Sequence, residues 1–250
     1  MLYINIDYKL QLIDNIYIIE RSYQNYVITL RGVCILNKIF REPINSITHW
    51  IGAILAIFAL IAMLVKGISK DISTTGLVSI IIFGASMILL YSISATYHSV
   101  ISTDKVINAF RRLDHSMIFL LIAGSYAPFC LIGLGNKIGK IFFEIMIGVA
   151  VAGVIFKMCW FNCPRWLQTA LYIAMGWSAV FVIKPLSMSI SIEPIVWLIV
   201  GGVLYTIGGV LYGLKPKKLQ FGMFGFHEIF HIFIILGSLS HFISVYPYLL

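Results

Sequence analysis

Seven apolar runs, each about 20 residues long and separated by short polar connections, constrain this chain most strongly. A run of that length is what an α-helix needs to cross a bilayer. The runs are continuous rather than alternating, which excludes a transmembrane β-barrel. We therefore predict an all-α membrane protein, a bundle of seven transmembrane helices. The predicted spans are residues 44–65, 76–101, 112–134, 139–160, 166–183, 194–214 and 222–247.

The composition agrees, because 60% of the residues are hydrophobic and only 11% are charged. Residues 1–40 are different: charged side chains interrupt the apolar ones, so this stretch contains neither a signal-peptide core nor a spanning helix. We expect it to be an amphipathic segment that lies on the membrane surface. The chain is thus divided into an N-terminal cytoplasmic or interfacial extension, residues 1–40, and one seven-helix membrane domain, residues 41–250.

The net charge of +8 could suit a nucleic-acid partner, but the basic residues are spread among the loops. Thirteen of the 18 Lys and Arg residues lie before the first span or in and beside the loops after the second, fourth and sixth spans. Cytoplasmic loops carry such an excess of positive charge. We therefore expect a cytoplasmic N-terminus, a C-terminus outside, and no nucleic-acid partner.

Five polar side chains from three predicted spans are expected at one depth. Ser94 and His98 come late in the second span, Asp114 lies in the first turn of the third, and His227 and His231 begin the seventh. At about 1.5 Å per helical residue, all lie within roughly one to three turns of the cytoplasmic boundary. Ionisable groups inside a bilayer usually face the bundle interior and mark function.

His227 and His231 stand at i and i+4, one above the other on a helix face, which lets one helix offer two ligands to a metal. His98 supplies a third nitrogen. Three histidines and an open fourth position form the ligand set of a catalytic zinc, so we predict a Zn²⁺ cofactor. A buried, hydrogen-bonded histidine pair that holds helices together is the alternative.

Such a metal lowers the pKa of a bound water to about 7. Asp114 could orient or deprotonate that water, or support a ligand. Ser94, one turn before His98, could donate a hydrogen bond to a developing oxyanion. A serine that bonds to its own helix backbone remains an equal alternative.

The other histidines carry less weight. His49 opens the first span and is expected to support the site or to lie at the interface. His115 follows Asp114 directly, about 100° around the helix, and is expected to point elsewhere. His241 lies about 15 Å beyond His231 along the helix, too far to share its metal.

The segment from His227 to His231 also matches the H-E-x-x-H pattern of zinc proteases, in which the glutamate is the general base. Glu228 would take that role. A membrane protease would need a third ligand, and Asp114 could supply it, but His98 would then have no function.

Five motifs occur in order over about residues 40–247: EPINSITH at 42–49, SATYHS at 94–99, LDHS at 113–116, AGSYAP at 123–128 and HEIFH at 227–231. Together they resemble the bacterial hemolysin III family, which is related to the progestin and adipoQ receptors and, more distantly, to alkaline ceramidases.

The resemblance implies a multi-pass protein of the bacterial inner (plasma) membrane, with seven helices, a cytosolic N-terminus and zinc near the cytosolic face. The receptors' zinc ligands match His98, His227 and His231. The aspartate that contacts their zinc-bound water matches Asp114, and a serine one turn before the first histidine matches Ser94.

Two departures from the receptors concern Glu228, where they generally have no glutamate, and His115, where they have tyrosine. The first weakens the case for Glu228 as an essential base. The second argues against His115 as a ligand.

Three functions remain open. The first is a zinc-dependent hydrolase of a lipid amide or ester, acting on membrane lipids and contributing to lipid homeostasis. The second is a pore-forming haemolysin, which needs a polar lumen across the bilayer, whereas the polar residues here cluster on one side. Oligomers could build such a lumen between subunits. The third is a lipid-sensing receptor in which zinc is structural.

Overall fold

The computed structural model describes residues 36, 38–216, 218–220 and 224–250. The amphipathic segment predicted for residues 1–40 therefore lies almost entirely outside the described residues.

In the described part of the chain, seven helices are long and apolar enough to cross a membrane, and no β-strand is present, so the predicted all-α fold is confirmed. The third span is an α-helix to Pro128 and continues as a π-helix, Phe129–Leu134. The fifth is formed by two helices, Arg165–Trp177 and Val180–Ser189. The seven spans are Pro43–Ser69, Thr74–Ser99, Asp104–Leu134, Lys137–Cys159, Arg165–Ser189, Ile192–Leu214 and Phe226–Val245.

The third span begins at Asp104, well before the predicted start at residue 112. Asp114 is therefore not in the first turn of its helix, and that prediction was wrong. The reason is that residues 104–112 include Asp104, Lys105, Arg111 and Arg112. Hydropathy detects only the part of a helix that lies in hydrocarbon, and this helix starts before it.

The contacts connect six spans in a closed ring, from the first through the second, third, fifth, sixth and seventh back to the first, and the fourth packs on the third. The first packs on the second, the second on the third, the fifth on the sixth, the sixth on the seventh and the seventh on the first, while the third also contacts the fourth and fifth. In the third span 72% of the most apolar 18-residue stretch is buried inside the protein. The corresponding stretch of any other span is at most 50% buried. The third span is therefore the most buried of the seven, and Asp114 lies on it.

Small residues let the helices approach closely. A Cβ atom at Gly84 would come within 2.6 Å of Leu60 Cδ1, and one at Gly237 within 2.5 Å of Tyr205 Cδ1. The outward surface is apolar instead: the side chains of Phe58 and Phe181 are 63% and 77% exposed. A bilayer covers such a surface, which agrees with a multi-pass membrane protein.

The second span ends where the third and seventh begin, so these three termini share one end of the bundle. We call it the histidine end, because His98, His227 and His231 lie there.

The distribution of basic residues predicts that the histidine end faces the cytoplasm. Alkaline phosphatase fused after Leu250 should then be active, because the enzyme matures only outside the cytoplasm. The same fusion within the loop at 215–218 should be silent. The reverse pattern would place the histidines at the outer face.

Candidate metal centre

Three imidazoles from two distant spans meet at the histidine end. His98 is the penultimate residue of the second span, and His227 and His231 occupy the first two turns of the seventh. Their potential ligand atoms all lie within 4.8 Å of one another. The ring centroids are 4.8 Å apart for His98–His231, 4.9 Å for His227–His231 and 5.0 Å for His98–His227. This triangle could hold a metal ion.

The chemistry of these rings fits a metal. His98 Nε2 and His231 Nδ1 are buried, and neither has a hydrogen-bond partner among the described residues. An unsatisfied buried polar atom costs about 1–3 kcal/mol. A transition-metal ion between the rings would use the lone pairs of these nitrogens, so the residues present suit such a group.

Glu42, the residue before the first span, orients His98. The His98 Nδ1–H donates to Glu42 Oε2 at 2.7 Å, and the Glu42 backbone N–H donates to the His98 carbonyl at 3.0 Å. The same carboxylate oxygen lies 3.9 Å from His227 Nδ1. A carboxylate on the outer nitrogen of a ligating histidine fixes its tautomer and raises its basicity. His98 is thereby left with Nε2 free to bind a metal.

The electrostatics keep Glu42 charged. Burial raises the pKa of Glu42, but the hydrogen bond and charge attraction from His98, with smaller contributions from Asn45 and His227, lower it to about 2, against an ordinary value of 4.5. The carboxylate is therefore ionised at physiological pH, as an acceptor for His98 must be.

We expect Glu42→Gln to keep the fold but weaken zinc binding by roughly 10- to 100-fold, because the amide cannot offer His98 the same charged acceptor. Competition with a zinc chelator measures this change. Glu193→Gln is the matched control, since Glu193 is exposed at the start of the sixth span, at the other end of the bundle. Equal affinities for wild type and Glu42→Gln would contradict the role given to Glu42.

Asn45 links the first span to the seventh. Its Nδ2 donates to Glu42 Oε2 at 3.1 Å and to Glu228 Oε1 at 2.8 Å. The other oxygen of Glu228 accepts the Gly225 backbone N–H at 2.7 Å, which caps the seventh span. Both carboxylate oxygens of Glu228 are thus engaged in holding helices. This arrangement disfavours Glu228 as a general base and with it the protease hypothesis.

His49 was expected to support the site or lie at the interface, and the structure places it against a histidine of the triangle. Its ring is buried and stacks on His231, with centroids 3.7 Å apart and planes 19° from parallel. The ring of Tyr91 packs against that of His49 at a steep angle, with centroids 5.2 Å apart. His49 thus holds the His231 ring in place.

Ser94 and Asp114 line a small cavity of about 40 Å³ together with His227, His231 and His49. Ser94 is buried and Asp114 half-buried. The two residues predicted to assist the metal are therefore brought to the same space as two of its candidate ligands.

A second, larger cavity of about 250 Å³ adjoins the small one and is lined mainly by apolar side chains of the third, fifth, sixth and seventh spans. Seven residues line both cavities, so the two are contiguous. They are Leu90, Ile118, Thr169, Tyr172, Gly209, Phe230 and Ile234.

The remaining histidines lie outside the triangle. His115, expected to point away from Asp114, lines the same small cavity, but its Nε2 lies 3.4 Å from the Tyr212 hydroxyl rather than near the triangle. His241 is remote from the triangle, as the spacing predicted, and lines the larger cavity.

Sequence reasoning missed the roles of Glu42 and Asn45. A signal was present, because both fall in the EPINSITH motif at the start of the first span. For Glu228 the signal was its position three residues after Gly225, which is typical of a helix cap.

Known proteins resemble this chain in sequence. A family model described as haemolysin-III related matches residues 37–242. Hemolysin-3 of Bacillus cereus is 40% identical over 211 residues, 84% of this chain and 92% of that protein. A Hemolysin-3 homolog of Bacillus subtilis is 37% identical over 207 residues, 83% of this chain and 93% of the homolog. An ADIPOR-like receptor of Saccharomyces cerevisiae is 25% identical over 251 residues, 91% of this chain and 78% of the receptor. Because the family model matches most of the chain and two relatives are 37–40% identical to it over most of their own length, the chain belongs to the haemolysin-III-related family.

Proposed function

We propose that the protein hydrolyses a lipid amide or ester with the help of zinc. One observation carries this proposal: two histidines of the triangle line a small cavity with Ser94 and Asp114, and a larger apolar cavity adjoins it. A membrane lipid has two matching parts, a polar carbonyl group that would suit Ser94 and Asp114 and a hydrocarbon chain that would suit the apolar cavity.

Zinc suits three imidazole nitrogens with a fourth position open. When bound, it supplies an electrophile and a water that is acidic enough to react near neutral pH. His98, His227 and His231 would hold the ion, and Glu42 would keep His98 in the correct tautomer through its 2.7 Å hydrogen bond.

The cavity wall provides the two further groups that hydrolysis needs. The Asp114 carboxylate would accept a proton from water and return it to the leaving group. The Ser94 hydroxyl would donate a hydrogen bond to the carbonyl oxygen of the substrate as negative charge develops there. Both line the small cavity beside His227 and His231.

The larger cavity would take the acyl chain. Its walls are mainly apolar, and it meets the small cavity at Phe230 and Ile234, on the same helix as two of the histidines. A chain placed there would bring its carbonyl end to Ser94 and Asp114.

Lipid mass spectrometry tests the proposal. Purified protein would be stripped with a chelator, and half of it reloaded with zinc, before both samples are incubated with a bacterial lipid extract. We expect free fatty acid and a matching loss of one amide or ester lipid only in the reloaded sample. Equal product in both samples, or none in either, would refute zinc-dependent hydrolysis.

Cytolysis is a second candidate, favoured by the name Hemolysin-3 that two relatives carry. Release of an encapsulated dye from liposomes would measure it. Leakage that persists in the zinc-stripped protein would separate this activity from hydrolysis.

A further inference from the structure

His241 is a polar group buried deep in the bundle and far from the triangle. It lies ten residues after His231 on the seventh span, about 15 Å along the helix axis. Only 4% of its surface is exposed. Its ring packs on Gly201 of the sixth span and against the rings of Tyr205 and Phe129, whose centroids are 5.3 and 6.3 Å away.

The polar groups around His241 are paired, and His241 is not. The Tyr91 hydroxyl donates to Ser238 Oγ at 2.6 Å, and the Tyr205 hydroxyl lies 2.8 Å from that same oxygen. Ser244 donates to a backbone carbonyl at 2.6 Å. Neither ring nitrogen of His241 makes a hydrogen bond of good geometry with the described residues, although the ring lies near the backbone of Leu198. A buried imidazole in this condition is costly, and inside a bilayer such a residue marks function.

A partner could enter from the larger cavity, because His241 lines it. The same cavity adjoins the small one beside His231, so a ligand in it could reach both histidines. A neutral imidazole offers one donor and one acceptor. A hydroxyl group can donate to the acceptor nitrogen or accept from the donor nitrogen, whereas a plain hydrocarbon chain can do neither.

We propose that the ligand is an acyl chain carrying an oxygen, most simply a hydroxyl, and that His241 recognises this oxygen. The placement of the chain's carbonyl end near the triangle rests on the proposed function. The oxygen would then lie about 15 Å farther along the bundle. A hydroxylated fatty acid and a lipid amide of that acid share this chemistry.

Ricinoleate and oleate form the matched pair of probes, because they differ only in one mid-chain hydroxyl. We expect zinc-loaded wild type in nanodiscs to bind ricinoleate about tenfold more tightly than oleate, as measured by native mass spectrometry. His241→Phe, which keeps a ring among the neighbouring aromatic residues, should bind both probes equally. His241→Gln, which restores a donor and an acceptor, should recover part of the preference.

Equal binding of the two probes by wild type would overturn the proposal, and so would binding of neither. A preference that survives in His241→Phe would do the same. If the phenylalanine variant does not fold, the wild-type comparison and the glutamine variant still decide the question. Tighter binding of ricinoleoyl ethanolamide than of ricinoleate would identify the intact lipid as the source, and the reverse would identify the free acid.

These measurements follow binding, not turnover. A hydroxyl preference that depends on His241, found in a protein that hydrolyses nothing, would support the ligand class while refuting the proposed reaction.

Discussion

Replacement of His231 by alanine should reduce the zinc content of the purified protein from about one ion per chain to almost none. His231 contributes one of the three nitrogen donors that lie within 4.8 Å of one another, and it is fully buried beneath His49. Two imidazoles without a third leave zinc short of its tetrahedral ligand set. Elemental analysis of protein that still elutes as a folded species measures the effect. His98→Ala and His227→Ala should behave in the same way.

His241→Phe is the control for this loss. It removes a buried histidine from the same helix but leaves the triangle intact, so its zinc content should match wild type. A wild-type protein that is purified gently and contains no metal would refute the assignment of the triangle as a metal site.

Asp114→Asn should leave zinc bound but lower any lipid hydrolysis by roughly 10²- to 10⁴-fold, the usual contribution of a positioned acid–base group. The amide keeps the shape of the carboxylate and cannot accept the proton. Asp114 lines the small cavity beside His227 and His231 but does not belong to the cluster of potential ligand atoms. Zinc content and product formation, measured on the same sample, separate the two roles.

Asp104→Asn provides the comparison, because Asp104 is an exposed carboxylate at the start of the same span, ten residues before Asp114. It should change neither zinc content nor hydrolysis. Loss of zinc from Asp114→Asn, as complete as that from a histidine variant, would instead make Asp114 a metal ligand.

Sequence alone predicted the spans and the common depth of the site, because both depend on hydropathy and on a fixed rise per residue. The ends of the spans were less accurate. Asp104 begins the third span since helical hydrogen bonding continues into the polar boundary, where hydropathy gives no signal. The family was also predictable, because its motifs are short and contiguous.

Contacts between distant residues could not be predicted in this way. The Glu42–His98 hydrogen bond joins residues 56 positions apart, and Asn45–Glu228 joins residues 183 positions apart. Glu42 lies before the apolar run, where a charged residue suggests only a loop. The sequence indicated the depth of His49 but not the direction in which its ring points. Its stacking on His231 could therefore be seen only in the packed bundle.

The division of the histidines between the second and seventh spans has a consequence for synthesis. A growing chain that has not reached Phe226 contains only His98 of the three. The histidine triangle cannot form until the final helix has entered the membrane and docked on the first and second. Zinc would then bind only the finished bundle, and by mass action would stabilise it over any partly inserted form. Metal capture would thus report the completion of assembly.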